Sequence, residues 1–197
     1  MNSFSLKTFL TSNLDVDEKE ILSITQNCTL KKVKKETFLL QKNEHCKHTF
    51  FVEKGLLRQF SIDQKGREHI LYFAPENWFV TDRDSAYFNR PSEYYIQALE
   101  DSQVVLIDEE FIHLLSKKVP KFTDFNNRLL HNHIRNLQSR INLMLGAMAE
   151  DRYLQFVKMY PDILLRVPQT MVASYLGITP ESLSRVRREL AHKNFKK

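Results

Sequence analysis

The chain has 197 residues, 42% of them hydrophobic and 27% charged, with a formal net charge of +5 at neutral pH. That length and balance suit one large or two small packed domains in an ordered, globular protein. No stretch reaches the roughly 18 consecutive apolar residues of a membrane span. The first twenty residues, MNSFSLKTFLTSNLDVDEKE, are broken by polar side chains before a signal-like run develops, so a cytoplasmic location without a membrane partner is expected.

Two cysteines, Cys28 and Cys46, are too few for a four-thiolate iron–sulfur cluster or a four-cysteine zinc site, and read as buried thiols of a reducing compartment. The charge is unevenly spread. From Arg152 to Lys197 there are nine Lys+Arg against three Asp+Glu, a surplus of six, which leaves the preceding residues at minus one. A localised positive field attracts phosphate backbones.

In chain order, residues 4 to 24 read as a helix from Phe4, Leu6, Phe9, Leu10 and Leu14, followed by a second short turn from Asp17 to Ile24. From about Thr29 to Asp108 the pattern changes to short runs rich in Val, Ile, Phe and Tyr, namely TLKKV, TFLLQ, TFFVEKGLLRQFSI, EHILYF, EYYIQAL and QVVLI, which read as strands. Gly55 and Gly66 fall between runs, where a hairpin needs positive φ. An all-β barrel or roll over residues 1–118, with its N-terminal helices, is the expectation.

From Pro120 onward the period becomes helical. Leu130, Ile134, Leu137, Ile141, Met144 and Met148 follow one another at spacings of 4, 3, 4, 3 and 4, a heptad stripe. Asn132, Arg135, Gln138, Ser139, Arg140 and Asn142 flank it, leaving only a narrow face to bury. A long helix over residues 119–148 that pairs with its copy in a homodimer is therefore expected, in preference to one that covers the roll.

The remaining residues, 149–197, contain QTMVASYLGITPESLSRVRREL. Val172, Ala173 and Leu176 share one face of a helix that starts near Pro168 and ends at Gly177; Ile178 turns inward and Thr179 offers an N-cap oxygen. Pro180 then opens a second helix whose buried face is Leu183, Val186 and Leu190. Two short helices joined by such a turn make a helix-turn-helix. Glu181, Ser182, Ser184, Arg185 and Arg188 face away from that core, where they can reach base edges of double-stranded DNA, and Gln169 and Thr170 are placed for phosphates. Lys193 and Lys196 are expected at phosphates as well.

This order of parts resembles the cyclic-AMP receptor protein family of bacterial transcription factors, the Crp/Fnr family. The resemblance covers nearly the whole chain and is carried by VEKGLLRQFSIDQKGREHILYF, AEDRYLQFVKMYPDILLRVPQ and ASYLGITPESLSRVRREL. It implies an α+β chain: an N-terminal β-roll of the cyclic-nucleotide-binding type (a jelly roll), a long dimerisation helix and a C-terminal all-α helix-turn-helix domain. It also implies a pseudo-palindromic DNA operator, read by residues corresponding to Thr179, Glu181 and Arg185, with RNA polymerase as a further partner.

The effector segment departs from the family. In the family a glycine-rich turn, a glutamate and an Arg-Ser or Arg-Thr pair hold the cyclic nucleotide, whereas the corresponding APENWFVTDRDSAYFNRPSEYYIQALEDS has no glycine. Ser92 and Glu93 fall where the resemblance implies the arginine and hydroxyl, and a carboxylate there repels a phosphate. Asp82 could replace the ribose-binding acid, and Arg83 and Arg90 leave room for another anion. Trp78 and Tyr95, with neighbouring aromatics, fill or reshape the cavity. Cyclic AMP is accordingly not expected as a cofactor, and another effector stays open. No wing hairpin is expected after the second helix of the motif.

A different class of reading is a cupin-like metal-binding barrel enzyme with an accessory helical domain, its conceivable ligands being His45, Cys46, His48 and Glu53. The spacing is poor, since His45 and His48 are three apart in an expected turn. His131 and His133 point in different directions on a helix, and no nucleophile, base and orienting acid stand out. No catalytic or metal site is assigned.

Overall fold

The structure is a computed structural model; it describes residues 5–14, 16–26 and 28–195, with the last two as backbone only. The chain begins with α1 (Leu6–Leu14) and α2 (Glu18–Thr25), then runs through β1 (Thr29–Val33), β2 (Phe38–Leu40), β3 (Thr49–Lys54), β4 (Leu57–Ile62), β5 (Glu68–Ala74) and β6 (Phe79–Val80). A short helix α3 (Arg83–Phe88) precedes β7 (Tyr95–Ala98) and β8 (Ser102–Ile107). Six helices complete the described residues: α4 (Glu109–Lys118), α5 (Phe122–Gly146), α6 (Ala149–Met159), α7 (Ile163–Arg166), α8 (Gln169–Leu176) and α9 (Pro180–Phe195). The α+β order expected from the sequence is present, and the six apolar runs coincide with β1, β2, β3 with β4, β5, β7 and β8. Among the described residues no helix is long and apolar enough to cross a membrane.

The strands form two four-stranded sheets, in the orders β1-β8-β3-β6 and β2-β7-β4-β5. The first strand pairs with the last, Thr29 opposite Leu106 and Val33 opposite Ser102, which closes the roll. Alternation along the strands explains how one sheet serves two cores. Phe50, Val52 and Val104 point into the roll interior, where they meet Leu40, Leu57, Ile96 and Ala98 of the other sheet. Phe51, Val105 and Ile107 point the opposite way, into a second core with Leu6, Leu10, Ile21, Ile24, Phe111, Leu115 and Phe125 from the helices. Each large apolar side chain so enclosed contributes about 1.5–3 kcal/mol of transfer free energy. Gly55, at φ +95, turns β3 into β4 where a Cβ would lie 2.2 Å from Ser102 Oγ, so only glycine fits.

Within residues 71–130 two helices, α3 and α4, were not expected from the sequence. In α4 the Asp108 carboxylate accepts from Phe111 N–H, Glu109 and Glu110 occupy the first turn, and Lys117 and Lys118 the last. In α3 Asp82 is the N-cap, accepting from Asp84 and Ser85 N–H. The long helix runs from Phe122 to Gly146 rather than 119–148, so Met148 stands outside it as the residue preceding α6.

The chain divides into two compact units, one of residues 1–61 and 71–130 and one of residues 62–70 and 131–197. The first holds the roll and the helices around its second core. The second unit contains the tip of the β4–β5 hairpin as well as the C-terminal helices, a grouping the expected boundaries at 118 and 148 did not contain. Its core is built from Phe156, Tyr160, Ile163, Val172, Ala173, Leu176, Leu183 and Val186. The rings of Phe156, Tyr160 and Tyr175 form a mutually contacting trio with centroids 5.2–5.7 Å apart.

Candidate nucleic-acid interface

The turn between α8 and α9 is closed by backbone geometry that the glycine makes accessible. Gly177 adopts φ +65, ψ 35; its N–H donates to Ser174 O and the N–H of Ile178 to Ala173 O, a Schellman closure of α8. The other two terminal carbonyls of α8 are also engaged, because Arg140 Nη2 donates to Tyr175 O at 3.0 Å and Arg152 Nη1 to Leu176 O at 3.1 Å. All four orphan acceptors of the helix end therefore have donors. The arginines lie 35 and 24 residues from their acceptors, and no local spacing signals such pairs.

Thr179 caps α9, accepting from Ser182 N–H at 3.2 Å, with Pro180 in the first position. Leu183 and Val186 are buried and Leu190 half-buried, so the opposite face of α9 carries Glu181, Ser184, Arg185 and Arg188 to the outside. Gln169 and Thr170 are exposed at the start of α8. Ser182 differs: it is half-buried, its Oγ 3.2 Å from Thr179 Oγ1, so it supports the cap instead of projecting outward. Hydrogen bonding from its own backbone N–H, then from the Thr179 side chain, holds the Glu181 carboxyl below its ordinary pKa. Lys193 does not project freely: its Nζ lies 2.8 Å from both Glu150 carboxylate oxygens and ties α9 to α6. Lys196 lies outside the described residues.

The stripe on α5 divides in the structure. Ile134, Leu137 and Ile141 are exposed, Ile141 at 59%, and Leu145 adds a further exposed side chain. Leu130 is half-buried. Met144 is half-buried too, and its sulfur would be 3.2 Å from a Cβ at Gly177, so this side chain packs under the helix-turn-helix turn rather than joining the exposed face. Met148 is exposed but beyond the helix. Arg140, expected among the polar flanks, turns toward α8.

The effector segment does not form one site. Asp82 and Ser92 are buried, at 3% and 0% exposure, and bonded to each other, with Ser92 Oγ donating to Asp82 Oδ2 at 2.7 Å. Ser85, also buried, accepts from Cys46 N–H. Glu93 points to solvent in an ion pair with Lys42, and Arg90 is exposed near Asp84. Arg83 is exposed as well. Tyr95 lies on the face of β7 opposite Ile96, stacked on Phe60 at 5.1 Å, and so turns away from the roll interior. Trp78 packs against that interior beside Tyr72. The seven residues read together from the sequence are thus dispersed, because alternate positions in a strand face opposite ways and two of the seven satisfy one another.

The metal-barrel reading finds no geometry. Glu53 Oε1 accepts from Leu6 N–H and the Cys46 thiol donates to His48 O. Among the described residues no three His, Cys, Asp or Glu side chains come together in a metal-holding group.

Residues 30–118 match the cyclic nucleotide-binding domain family. In sequence the chain is 27% identical over 168 residues to the anaerobic regulatory protein of Pasteurella multocida, covering 79% of this chain and 60% of that relative, so it spans less than two thirds of the relative's length. It is 26% identical over 183 residues to the fumarate and nitrate reduction regulatory protein of Vibrio cholerae, covering 87% and 72%. In fold it is similar to FixK2 of Bradyrhizobium japonicum, with a TM-score of 0.71, 18% identity, and coverage of 85% and 86%. A Crp/Fnr-family regulator of Eubacterium rectale gives 0.64, with 22% identity and coverage of 91% and 85%. The chain thus carries a cyclic nucleotide-binding domain over residues 30–118, is similar in sequence to bacterial regulatory proteins, and shares the fold of Crp/Fnr regulators, with the roll, a long helix and a closed helix-turn-helix in that order.

Proposed function

We propose that this protein is a homodimeric, sequence-specific DNA-binding transcriptional regulator. The observation that carries the reading is α9: a helix capped by Thr179, anchored by Leu183 and Val186, and presenting Glu181, Ser184, Arg185 and Arg188 on its open face. Arginine donates bidentately to guanine O6 and N7, an ionised glutamate accepts from cytosine N4, and serine serves either role in the major groove. Gln169 and Thr170 would meet phosphates, which fix register without reading sequence. The exposed Ile134, Leu137 and Ile141 on α5 support pairing with a second copy, since an apolar row on an otherwise polar helix is what a subunit seam requires. A cytoplasmic location, with RNA polymerase as a further partner, belongs to the same proposal.

Cyclic AMP is not the effector in this reading. The hydroxyl of Ser92 is turned to Asp82 and the Glu93 carboxylate is turned to Lys42, so neither supplies the cationic or donor groups a cyclic phosphate needs. Genome-wide footprinting tests the function. Protected pseudo-palindromes near gene starts are expected; protection scattered without a shared motif would contradict it.

A further inference from the structure

Strand β5 lies at the edge of its sheet, where outward backbone groups need partners. Residues 62–70, the hairpin tip that opens β5, belong to the same compact unit as the helix-turn-helix, and α8 meets that edge through one side chain. Ser174 Oγ donates to Glu68 O at 2.8 Å and accepts from Ile70 N–H at 3.0 Å, replacing one rung of a strand ladder. Arg140 completes the joint. Its Nη2 donates to Ile70 O at 2.9 Å as well as to Tyr175 O, and its guanidinium carbon sits 4.1 Å from the Tyr175 ring centroid.

The hairpin end of this joint is itself braced. Asp63 accepts from Lys65 N–H, Arg67 N–H, Arg67 Nε and His69 Nε2, all within 3.0 Å, and these bonds hold its carboxyl well below the usual carboxylate range. A stiff hairpin is thereby fastened to the first helix of the motif by two side chains, one from α8 and one from α5. Neither is needed for the apolar core of the helix-turn-helix, which closes through Val172, Leu176, Leu183 and Val186.

We propose that Arg140 and Ser174 are positioning residues for operator recognition: they fasten α8 to the hairpin and to α5, and so fix the angle at which α9 is presented. The proposal rests on the DNA-binding reading of α9. A two-fold regulator discriminates operators by half-site spacing only if its reading helices are held at a fixed separation. Loosening the joint should therefore blur spacing while leaving phosphate attraction in place.

The experiment uses the full-length chain and the duplex that it selects from a random pool, together with versions of that duplex whose half-sites are one or two base pairs closer or farther apart. Wild type, Ser174→Ala, Arg140→Gln and Arg140→Lys are titrated against each, against a random duplex, and by thermal unfolding. Loss of the two charge-assisted hydrogen bonds of Arg140 should together lower affinity for the selected duplex roughly tenfold in Arg140→Gln. Ser174→Ala should shift it in the same direction and flatten the spacing preference in both, at unchanged random-duplex affinity and with an unfolding temperature lowered by a few degrees, since backbone groups of the joint lose their partners. Arg140→Lys, which retains a donor, should recover part of the loss. Ser174→Ala carries the test if Arg140→Gln does not fold. Unchanged spacing preference in the variants, or a loss equal on selected and random duplexes, overturns the proposal. A wild type that selects no duplex would instead sink the DNA-binding reading itself.

Discussion

Ser92 Oγ donates a 2.7 Å hydrogen bond to Asp82 Oδ2, and both side chains are buried. The same carboxylate caps α3 through Asp84 and Ser85 N–H, so an anion built into the chain already occupies the donors of this segment. A second anion would have to displace it. Calorimetry with cyclic AMP at micromolar concentration should therefore give no binding heat, and saturable binding of one nucleotide per chain would contradict the assignment. Asp82→Ala leaves the amides of α3 without their acceptor and Ser92 Oγ with only its longer 3.2 Å contact to Tyr94 O, and should cost about 1–3 kcal/mol in urea unfolding.

The exposed row on α5 predicts the oligomeric state. Ile134→Asp with Ile141→Asp leaves the isolated chain intact, since both positions are solvent-exposed, but places carboxylates in an apolar seam. Sedimentation should show a folded monomer with weak DNA affinity. A double variant that still sediments as a dimer would remove α5 from the interface.

The roll and the helix-turn-helix were legible in the sequence for the same reason: their signals are local. Apolar alternation with Gly55 marks β3 and β4, and the run from Val172 to Val186 sets the spacing of two helices and a turn. Helix α4 was equally local, with Asp108 as its cap, Glu109 and Glu110 in its first turn, and Phe111 and Leu115 one turn apart, and its signal was overlooked. The effector segment was not legible as a site, because whether Tyr95 faces inward depends on strand register and whether Asp82 is available depends on Ser92 ten residues on. The joint of Arg140, Ser174 and the hairpin joins residues more than thirty apart in the chain, and Arg140 read only as a polar flank.

Gly177 tests the turn. Alanine there must hold φ +65, at about 1–2 kcal/mol for a left-handed non-glycine residue, with its Cβ 3.2 Å from Met144 Sδ. Thermal unfolding should shift down. Gly146→Ala, at the end of α5 with nothing within 4 Å of the new Cβ, should leave the midpoint unchanged or raise it. Equal effects of the two would show that the turn does not depend on the left-handed conformation.

Cys28 supplies a pH dependence. Burial first, then the charges of Asp108 and Glu53, push its thiol from an ordinary 9.0 up to about 11. It also lines an open cavity of about 430 Å³, so a small reagent can reach it. Its alkylation by iodoacetamide at pH 8 to 9, followed by mass spectrometry, should be slower in the folded than in the unfolded chain, because the thiolate is the nucleophile. The raised value favours the protonated form in the fold. Its contribution to stability is fully present below about pH 9 and is lost as pH rises toward 11, where the unfolded chain has already released the proton. Faster alkylation in the fold would reverse the sign.

The most direct test is a selection from random duplexes with wild type and with Arg185→Ala, followed by titration of the winning sequences. Arg185 stands exposed on the open face of α9, one turn from its capped end. Wild type should select a pseudo-palindrome with half-sites about one helical turn apart, roughly 10 base pairs from centre to centre. Arg185→Ala should lose about 1–3 kcal/mol on that operator and relax the preference at one base pair in each half-site. An unchanged motif in the variant, or a wild-type motif without two-fold symmetry, would contradict α9 as the reading element of a dimer.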